Sequence, residues 1–131
     1  MNQYFVAVCI AAILSQIEAF TLQQRQQGDL FALECLRETA ANPVSVALLK
    51  IGDFSARDEA SKCFVRCFFE KEGFMDARGN VETENIVAAL SNDYDKVKVE
   101  ALIDRCQVEG REACDTAFQM YECFYRNRES L

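Results

Sequence analysis

The sequence predicts an all-α fold, a compact domain of six helices tied together by disulfides. Apolar residues recur at helical spacing along most of the chain, and no stretch alternates apolar and polar residues long enough to indicate a strand. Pro43 is the only proline, and four of the five glycines fall where the apolar periodicity breaks. The chain of 131 residues contains seven cysteines, which are best explained as cross-links between short helices.

The N-terminus indicates export. Residues 5–14, FVAVCIAAIL, form an apolar run that is too short to span a bilayer, for which about 20 residues are needed. Such a run followed by a small residue, here Ala19, is typical of a secretory signal peptide, and a buried first helix is the alternative. We therefore interpret residues 1–19 as a signal peptide and residues 20–131 as one mature domain, secreted into an extracellular fluid.

The predicted helices begin and end at recognisable signals. Asn42 before Pro43 is a favourable start for the second helix, and Ser55 with Asp58 three residues later is a favourable start for the third. Glycines follow the second and third helices, and another precedes the sixth. The predicted helices cover residues 22–40, 44–51, 56–72, 83–91, 94–107 and 111–127.

The cysteines are expected to join distant segments. Cleavage of the signal peptide removes Cys9, so that six cysteines remain and all can pair. Cys63 and Cys67 lie four apart on one helix with nearly parallel Cα–Cβ bonds, a poor geometry for a bond between them. Cys114 and Cys123, nine residues apart, are separated by about 13 Å along a continuous helix. Six cysteines allow 15 connectivities. Each of the two excluded pairs occurs in three of these connectivities, and one connectivity contains both pairs, so five are excluded and ten remain open.

The absence of histidine from the sequence excludes several kinds of chemistry. Zinc would need thiolates or carboxylates in place of imidazole, and Ser-His and Cys-His nucleophiles cannot form. The spacing of Cys63 and Cys67 also differs from the two-residue gap of thioredoxin-like redox motifs. We therefore expect no enzyme, no metal and no cofactor.

Two further classes of partner are also not expected. The mature chain carries a net charge of about −6, since 14 basic side chains face 20 acidic ones once Glu18 is removed, and this disfavours nucleic acid and anionic membranes. The segment DARGNVETENI, from Asp76, resembles a calcium loop in spacing. However, Arg78 stands at its third position and Val81 replaces the glycine of its sixth, so that a surface turn is predicted.

Apolar side chains crowd the later helices, as aromatic residues in the third and sixth and as aliphatic residues in the fourth and fifth. A packed core is the ordinary explanation of such residues. Short helices clamped by disulfides do not require a filled interior, however, and an apolar cavity is a ligand-binding site. Both explanations remain open at this point.

The order of the cysteines is similar to a known signature. Cys35 is followed after 27 residues by the segment KCFVRC, with Cys63 and Cys67, then after 38 by Cys106, after seven by Cys114 and after eight by Cys123. This pattern, with the turn GNVE, resembles the six-cysteine signature of the insect odorant-binding proteins over essentially the whole mature chain. The gaps of three and eight residues are the discriminating ones, and the gap of seven is one residue shorter than usual.

The resemblance implies a fold and a bonding pattern. Members of that family are secreted six-helix domains with three interlocked disulfides around an apolar cavity. Carried over to this sequence, the disulfides would be Cys35–Cys67, Cys63–Cys114 and Cys106–Cys123.

The resemblance also implies a function, the reversible carriage of small hydrophobic ligands such as odorants, pheromones or related semiochemicals, with a cell-surface chemoreceptor as a further partner. Phe124 matches a position where the family often places an aromatic residue against the ligand, and Tyr121 is the expected polar contact. The alternative is a secreted, disulfide-stabilised interaction protein, such as an effector or a seminal or salivary factor, with a filled core. The residues expected to line the pocket are Phe64, Phe68, Ile86, Leu90, Val99, Leu102, Ile103, Phe118, Tyr121, Phe124 and Leu131.

Overall fold

The computed structural model describes residues 26–131. Internal contacts divide the chain into two units after Leu33. Residues 34–131 form one compact unit, and of the first unit the structure describes only residues 26–33, which are helical. The predicted signal peptide, residues 1–19, and the predicted start of the mature domain at residue 20 lie outside the described residues. No helix within the described part of the chain is long and apolar enough to cross a membrane.

Six helices lie within residues 26–131, which confirms the predicted all-α fold. Where both ends are described, α2 has its predicted length but begins one residue earlier, and α3 to α6 lie within their predicted ranges and are shorter by one to four residues. From residue 26 onward no strand forms, and Met75 and Val81 make only an isolated bridge. The helices are α1 (26–39), α2 (Pro43–Lys50), α3 (Glu59–Glu72), α4 (Thr83–Leu90), α5 (Lys96–Arg105) and α6 (Ala113–Arg126), followed by a 3-10 turn (Arg128–Ser130).

The start of α2 is confirmed, whereas the predicted start of α3 is wrong. Asn42 caps α2 by accepting a hydrogen bond from the Val44 amide at 2.8 Å. Ser55 does not cap α3, because its amide and its hydroxyl both donate to the carboxylate of Asp53, at 3.0 and 2.6 Å. The cap is Asp58 instead, whose carboxylate accepts from the amide of Ser61 at 3.1 Å.

Three disulfides tie the helices together. Cys35–Cys67 joins α1 to α3, Cys63–Cys114 joins α3 to α6, and Cys106–Cys123 joins the end of α5 to α6. These are the three pairs that the resemblance implies. The two cysteines of α3 therefore bond to two different helices, which makes α3 the element through which the first and last helices are connected.

The segment after α3 forms the predicted surface turn. The carboxylate of Asp76 accepts hydrogen bonds from the amides of Arg78 and Asn80, at 2.9 and 2.8 Å, and from the side-chain amide of Asn80 at 3.0 Å. These donors hold the pKa of Asp76 below its ordinary value, the contacts with Asn80 being the largest cause. The carboxylate closes its own turn, and Gly79 permits the turn with a φ of +87°.

Candidate ligand-binding core

The residues predicted to line a pocket fall into two groups by exposure. Phe64, on α3, is buried and stacks on Phe68 with ring centroids 6.4 Å apart, whereas Phe68 itself is partly exposed. Leu131 follows the 3-10 turn and is half-buried. The buried members are Phe64, Ile86, Val99, Leu102, Ile103 and Phe118, and the partly exposed members are Phe68, Leu90, Tyr121, Phe124 and Leu131.

The centre of the aromatic packing is Phe54, a residue that the sequence reasoning missed. It lies between α2 and α3, is buried, and meets three rings of α6 in edge-to-face contacts. The ring centroids are 6.0 Å from Phe118, 5.7 Å from Tyr121 and 5.8 Å from Tyr125. A single aromatic residue within the polar stretch GDFSARDE was the available signal, because such a residue outside a helix rarely stays in water.

Tyr121 has a defined hydrogen bond. Its hydroxyl donates to the carbonyl oxygen of Leu49 at 2.9 Å, which connects α6 to α2. Burial, followed by the neighbouring Tyr125, raises the pKa of the Tyr121 hydroxyl above its ordinary value. The group therefore stays protonated, and because its one proton is used on Leu49, only its oxygen lone pairs remain for a ligand.

Three arginines lie against this group of rings. The guanidinium carbon of Arg57 is 4.8 Å from the centroid of Phe118, that of Arg126 is 5.9 Å from Phe54, and that of Arg128 is 4.0 Å from Tyr125. We call Arg57, Arg126 and Arg128 the arginine cluster. It places positive charge at the edge of the aromatic core in a chain whose net charge is −7.

An ion pair next to a disulfide fixes α3 against α6. The Lys62 ammonium lies 3.0 Å from the carboxylate of Asp115, directly beside the Cys63–Cys114 bond. Asp115 is buried and also accepts from the amide of Arg111 at 2.9 Å and from Gln119 at 2.8 Å. The hydrogen bond from Arg111 and then the contact with Lys62 lower the pKa of Asp115.

A cleft opens between α4 and the start of α5, with a volume of about 580 Å³. None of the residues predicted to line a pocket belongs to it. The hydroxyl oxygen of Ser91, at the end of α4, is buried there without a hydrogen-bond partner among the described residues. The lining residues are Thr83, Glu84, Val87, Ala88, Ser91, Lys96 and Glu100.

Two groups of cysteine and glutamate side chains come close together but are not suited to a metal. In each, two sulfurs and a carboxylate oxygen lie within 4.8 Å of one another. The sulfurs are bonded as disulfides, however, and only a thiolate is a good metal ligand. The groups are Cys35, Glu38 and Cys67, and Glu59, Cys63 and Cys114.

Comparison with known proteins identifies relatives over almost the whole chain. The model of the PBP/GOBP family matches residues 17–127. Odorant-binding protein 10 of Aedes aegypti is 29% identical over 102 residues, which cover 77% of this chain and 73% of that protein. General odorant-binding protein 56a of Drosophila melanogaster is 28% identical over 129 residues, which cover 95% of this chain and 92% of that protein.

Solved structures similar to this one are also odorant-binding proteins or a fatty acid binding protein of that kind. The fatty acid binding protein OBP56a from the oral disk of the blowfly Phormia regina superposes with a TM-score of 0.71 at 30% identity, over 83% of this chain and 95% of that one. OBP28a of Drosophila melanogaster, at 19% identity and a TM-score of 0.69 over 82% of this chain and 93% of that one, supports the fold alone. The relatives are odorant-binding carriers, a class of proteins that are not enzymes, which confirms the prediction that this protein is not an enzyme. The chain belongs to the PBP/GOBP family, that of the insect odorant-binding proteins.

Proposed function

We propose that this protein is a secreted carrier that reversibly binds odorants, pheromones or related semiochemicals in an apolar pocket bounded by α3, α4, α5 and α6. Membership of the family already makes it a carrier of small hydrophobic ligands. The proposal adds the place of binding, the kind of ligand and an extracellular fluid as the site of action. A cell-surface chemoreceptor is the proposed recipient of the ligand.

The observation that carries the proposal is the burial of apolar residues from four helices within a covalently fixed frame. Ile86 of α4, Val99 and Ile103 of α5, and Phe64 and Phe118 of α3 and α6 are all buried. Disulfides hold α3 and the end of α5 to α6, so these faces need not be packed to full density for the fold to persist. A frame of this kind is able to enclose a ligand among apolar walls.

Fatty acids belong among the candidate ligands. The blowfly protein, a fatty acid binding protein, shares 30% identity with this chain. A fatty acid has the apolar body that the buried residues of α3–α6 suit, and it differs from most odorants in carrying a charged end. Both kinds of ligand should therefore be tested.

Displacement of a bound fluorescent dye, N-phenyl-1-naphthylamine, from delipidated protein tests the proposal. We expect dissociation constants of about 1 μM for preferred ligands, an affinity of about −8 kcal/mol. In the variant Ile103→Phe, the larger side chain should enter the pocket and weaken binding about 10-fold, with little change in the free energy of unfolding. Val97→Phe is the matched control, because Val97 lies on the same helix but is 73% exposed.

The same variants separate the carrier from an interaction protein with a filled core. If no cavity exists, Ile103→Phe overpacks the interior and lowers the free energy of unfolding by about 1–3 kcal/mol. The dye then fails to bind the wild-type protein as well. That pair of results would refute the carrier function in favour of a secreted interaction protein.

Expression in insect cells tests secretion. We expect the protein in the medium, with an N-terminal sequence that begins at Phe20 and an intact mass that corresponds to residues 20–131. We also expect no titratable thiol. Retention in the cells with residues 1–19 still attached would contradict the proposed signal peptide.

A further inference from the structure

The arginine cluster places three positive charges against the aromatic core. Arg126 lies over Phe54, while Arg57 and Arg128 lie over Phe118 and Tyr125, two rings that both contact Phe54. One guanidinium group thus lies over the buried Phe54 itself and the other two lie over rings that pack against it, in a chain that is otherwise acidic.

Arg57 connects the buried core with solvent. Phe118, the ring beneath its guanidinium group, is completely buried, whereas the side chain of Arg57 is 48% exposed. A molecule whose apolar part contacts Phe118 therefore has a cation 4.8 Å above that ring. The cation remains wet enough to exchange one anionic partner for another.

The charge of the cluster is only partly balanced. Glu122 gives one carboxylate oxygen to Arg57 and the other to Arg126, each at 2.8 Å. Arg128 donates to the carbonyl oxygen of Tyr125 at 2.7 Å. Along residues 26–131, Glu129 forms no ion pair with the cluster, so Glu122 is the one carboxylate recorded in an ion pair with its three cations.

Most of the hydrogen-bond donors of the cluster are unused. A guanidinium group carries five N–H donors, and the structure records one hydrogen bond from each of Arg57, Arg126 and Arg128. The remaining donors suit the two oxygens of a second carboxylate, which arginine binds through a pair of parallel hydrogen bonds. Neither an alcohol nor an ester offers the charge that this arrangement would neutralise.

We infer that the arginine cluster binds the head group of an anionic amphiphile, a carboxylate at the end of an apolar tail, and thereby makes the protein select acids over alcohols and esters of the same chain length. The tail contacts the aromatic rings beneath the cluster. Glu122 acts as an internal competitor, because it occupies the donors that the ligand carboxylate needs. This inference rests on the proposed carrier function and names the ligand class of that site.

The test compares three ligands that share one tail: lauric acid, dodecanol and methyl laurate. Their inhibition constants are measured at pH 7 by displacement of N-phenyl-1-naphthylamine and corrected for the affinity of each variant for the dye. For the wild-type protein we expect the acid to bind about 10-fold more tightly than the alcohol, as charge-assisted hydrogen bonds allow. Arg57→Gln should reduce this ratio to about 2-fold.

Two variants distinguish recognition of charge from a merely structural effect. Glu122→Gln should increase the ratio of acid to alcohol affinity, because the competing carboxylate is gone. Arg57→Lys keeps the charge but loses the planar fork, and should give an intermediate ratio. The control is Arg66→Gln, which removes an arginine whose recorded partners are Glu70 and the carbonyl oxygen of Ala77, and should leave the ratio unchanged.

The outcomes separate the inference from the function beneath it. If none of the three ligands displaces the dye, the carrier function itself is refuted. If all three displace it with equal constants, the head-group inference is wrong and the carrier function stands. A preference for the acid that persists in Arg57→Gln, or a ratio that falls in Glu122→Gln, also overturns the inference.

Discussion

The α3–α6 pair and the α4–α5 pair are built in different ways. The first consists of two helices of 14 residues joined by the Cys63–Cys114 bond and, next to it, by the partly buried Lys62–Asp115 ion pair. The second consists of helices of eight and ten residues, α4 contains no cysteine, and its first turn has no side-chain cap. A cleft separates part of α4 from the start of α5.

This difference assigns different mechanical roles to the two pairs. The cross-linked pair fixes the aromatic residues and the arginine cluster relative to one another. The pair without a bond between its helices contributes the aliphatic wall of the proposed pocket, and we expect this wall to adjust more readily to ligands of different shape. Of these two helices α4 has no disulfide, whereas the end of α5 is bonded to α6, so we expect α4 to be the less stable of the two and the more able to move.

The largest expected effect comes from breaking the bond that closes the stable pair. Replacing Cys63 and Cys114 by serine should lower the free energy of unfolding by about 4 kcal/mol, because the bond spans a separation of 51 residues. Replacing Cys106 and Cys123, which span 17 residues, should cost about 3 kcal/mol. Guanidinium denaturation followed by circular dichroism measures both losses, and the reverse order would show that the length of the closed loop does not determine which bond stabilises the fold more.

An intermediate effect comes from the two lysine–carboxylate pairs. Asp115→Asn should cost about 2 kcal/mol, since it leaves the partly buried Lys62 without its counter-charge. Glu100→Gln removes the exposed pair with Lys96, in which the two atoms are 3.7 Å apart, and should cost about 0.3 kcal/mol. Urea denaturation at pH 7 compares them, and equal costs would mean that burial adds nothing to the first pair.

The pH dependence of the Asp115 effect has a definite sign. The pKa of this carboxyl group is lowered by folding, so its contribution to stability is complete above its unfolded value, about 3.9, and is lost as the pH falls through the folded value. The difference between the wild-type protein and Asp115→Asn should therefore be constant from pH 7 to 5 and should shrink below about pH 4. A difference that grows below pH 4 would contradict this assignment.

The smallest expected effect concerns two serines, one in each pair of helices. Ser61 of α3 is completely buried and donates to Asp58 at 2.8 Å, so Ser61→Ala should cost about 1 kcal/mol. The buried hydroxyl of Ser91 has no partner within residues 26–131, so Ser91→Ala should be neutral or stabilising by about 0.5 kcal/mol. Thermal unfolding of both variants measures the two changes in stability. A loss of stability in Ser91→Ala equal to that in Ser61→Ala would indicate that the Ser91 hydroxyl forms a hydrogen bond in solution.

The elements of the fold could be predicted because helical periodicity and cap residues are local. The cap at Asn42 is predicted correctly for this reason. The cap predicted at Ser55 is wrong, because the Ser55 hydroxyl donates to Asp53, a residue outside the helix that the helix signals do not include. The disulfide pairs required the family resemblance, since geometry alone left ten arrangements open. The residues proposed to line the pocket remain a prediction.

What the sequence did not reveal depends on contacts between distant segments. Phe54 is buried only because three rings of α6 reach it, and nothing in its own segment specifies those partners. The arginine cluster depends on long side chains whose direction is set by the rings beneath them. The cleft depends on the way α4 docks against α5, which no local pattern encodes.

The Lys62–Asp115 pair also bears on how the chain acquires its bonds. The six cysteines from Cys35 to Cys123, when reduced, can combine in 15 ways, and thiol–disulfide exchange selects among these pairings. Lys62 directly precedes Cys63, and Asp115 directly follows Cys114, so the ion pair, once formed in the reduced chain, brings these two sulfurs together. Cys67 lies one helical turn further along α3 and is not favoured in this way. We therefore expect the ion pair to favour the Cys63–Cys114 pairing during oxidative folding.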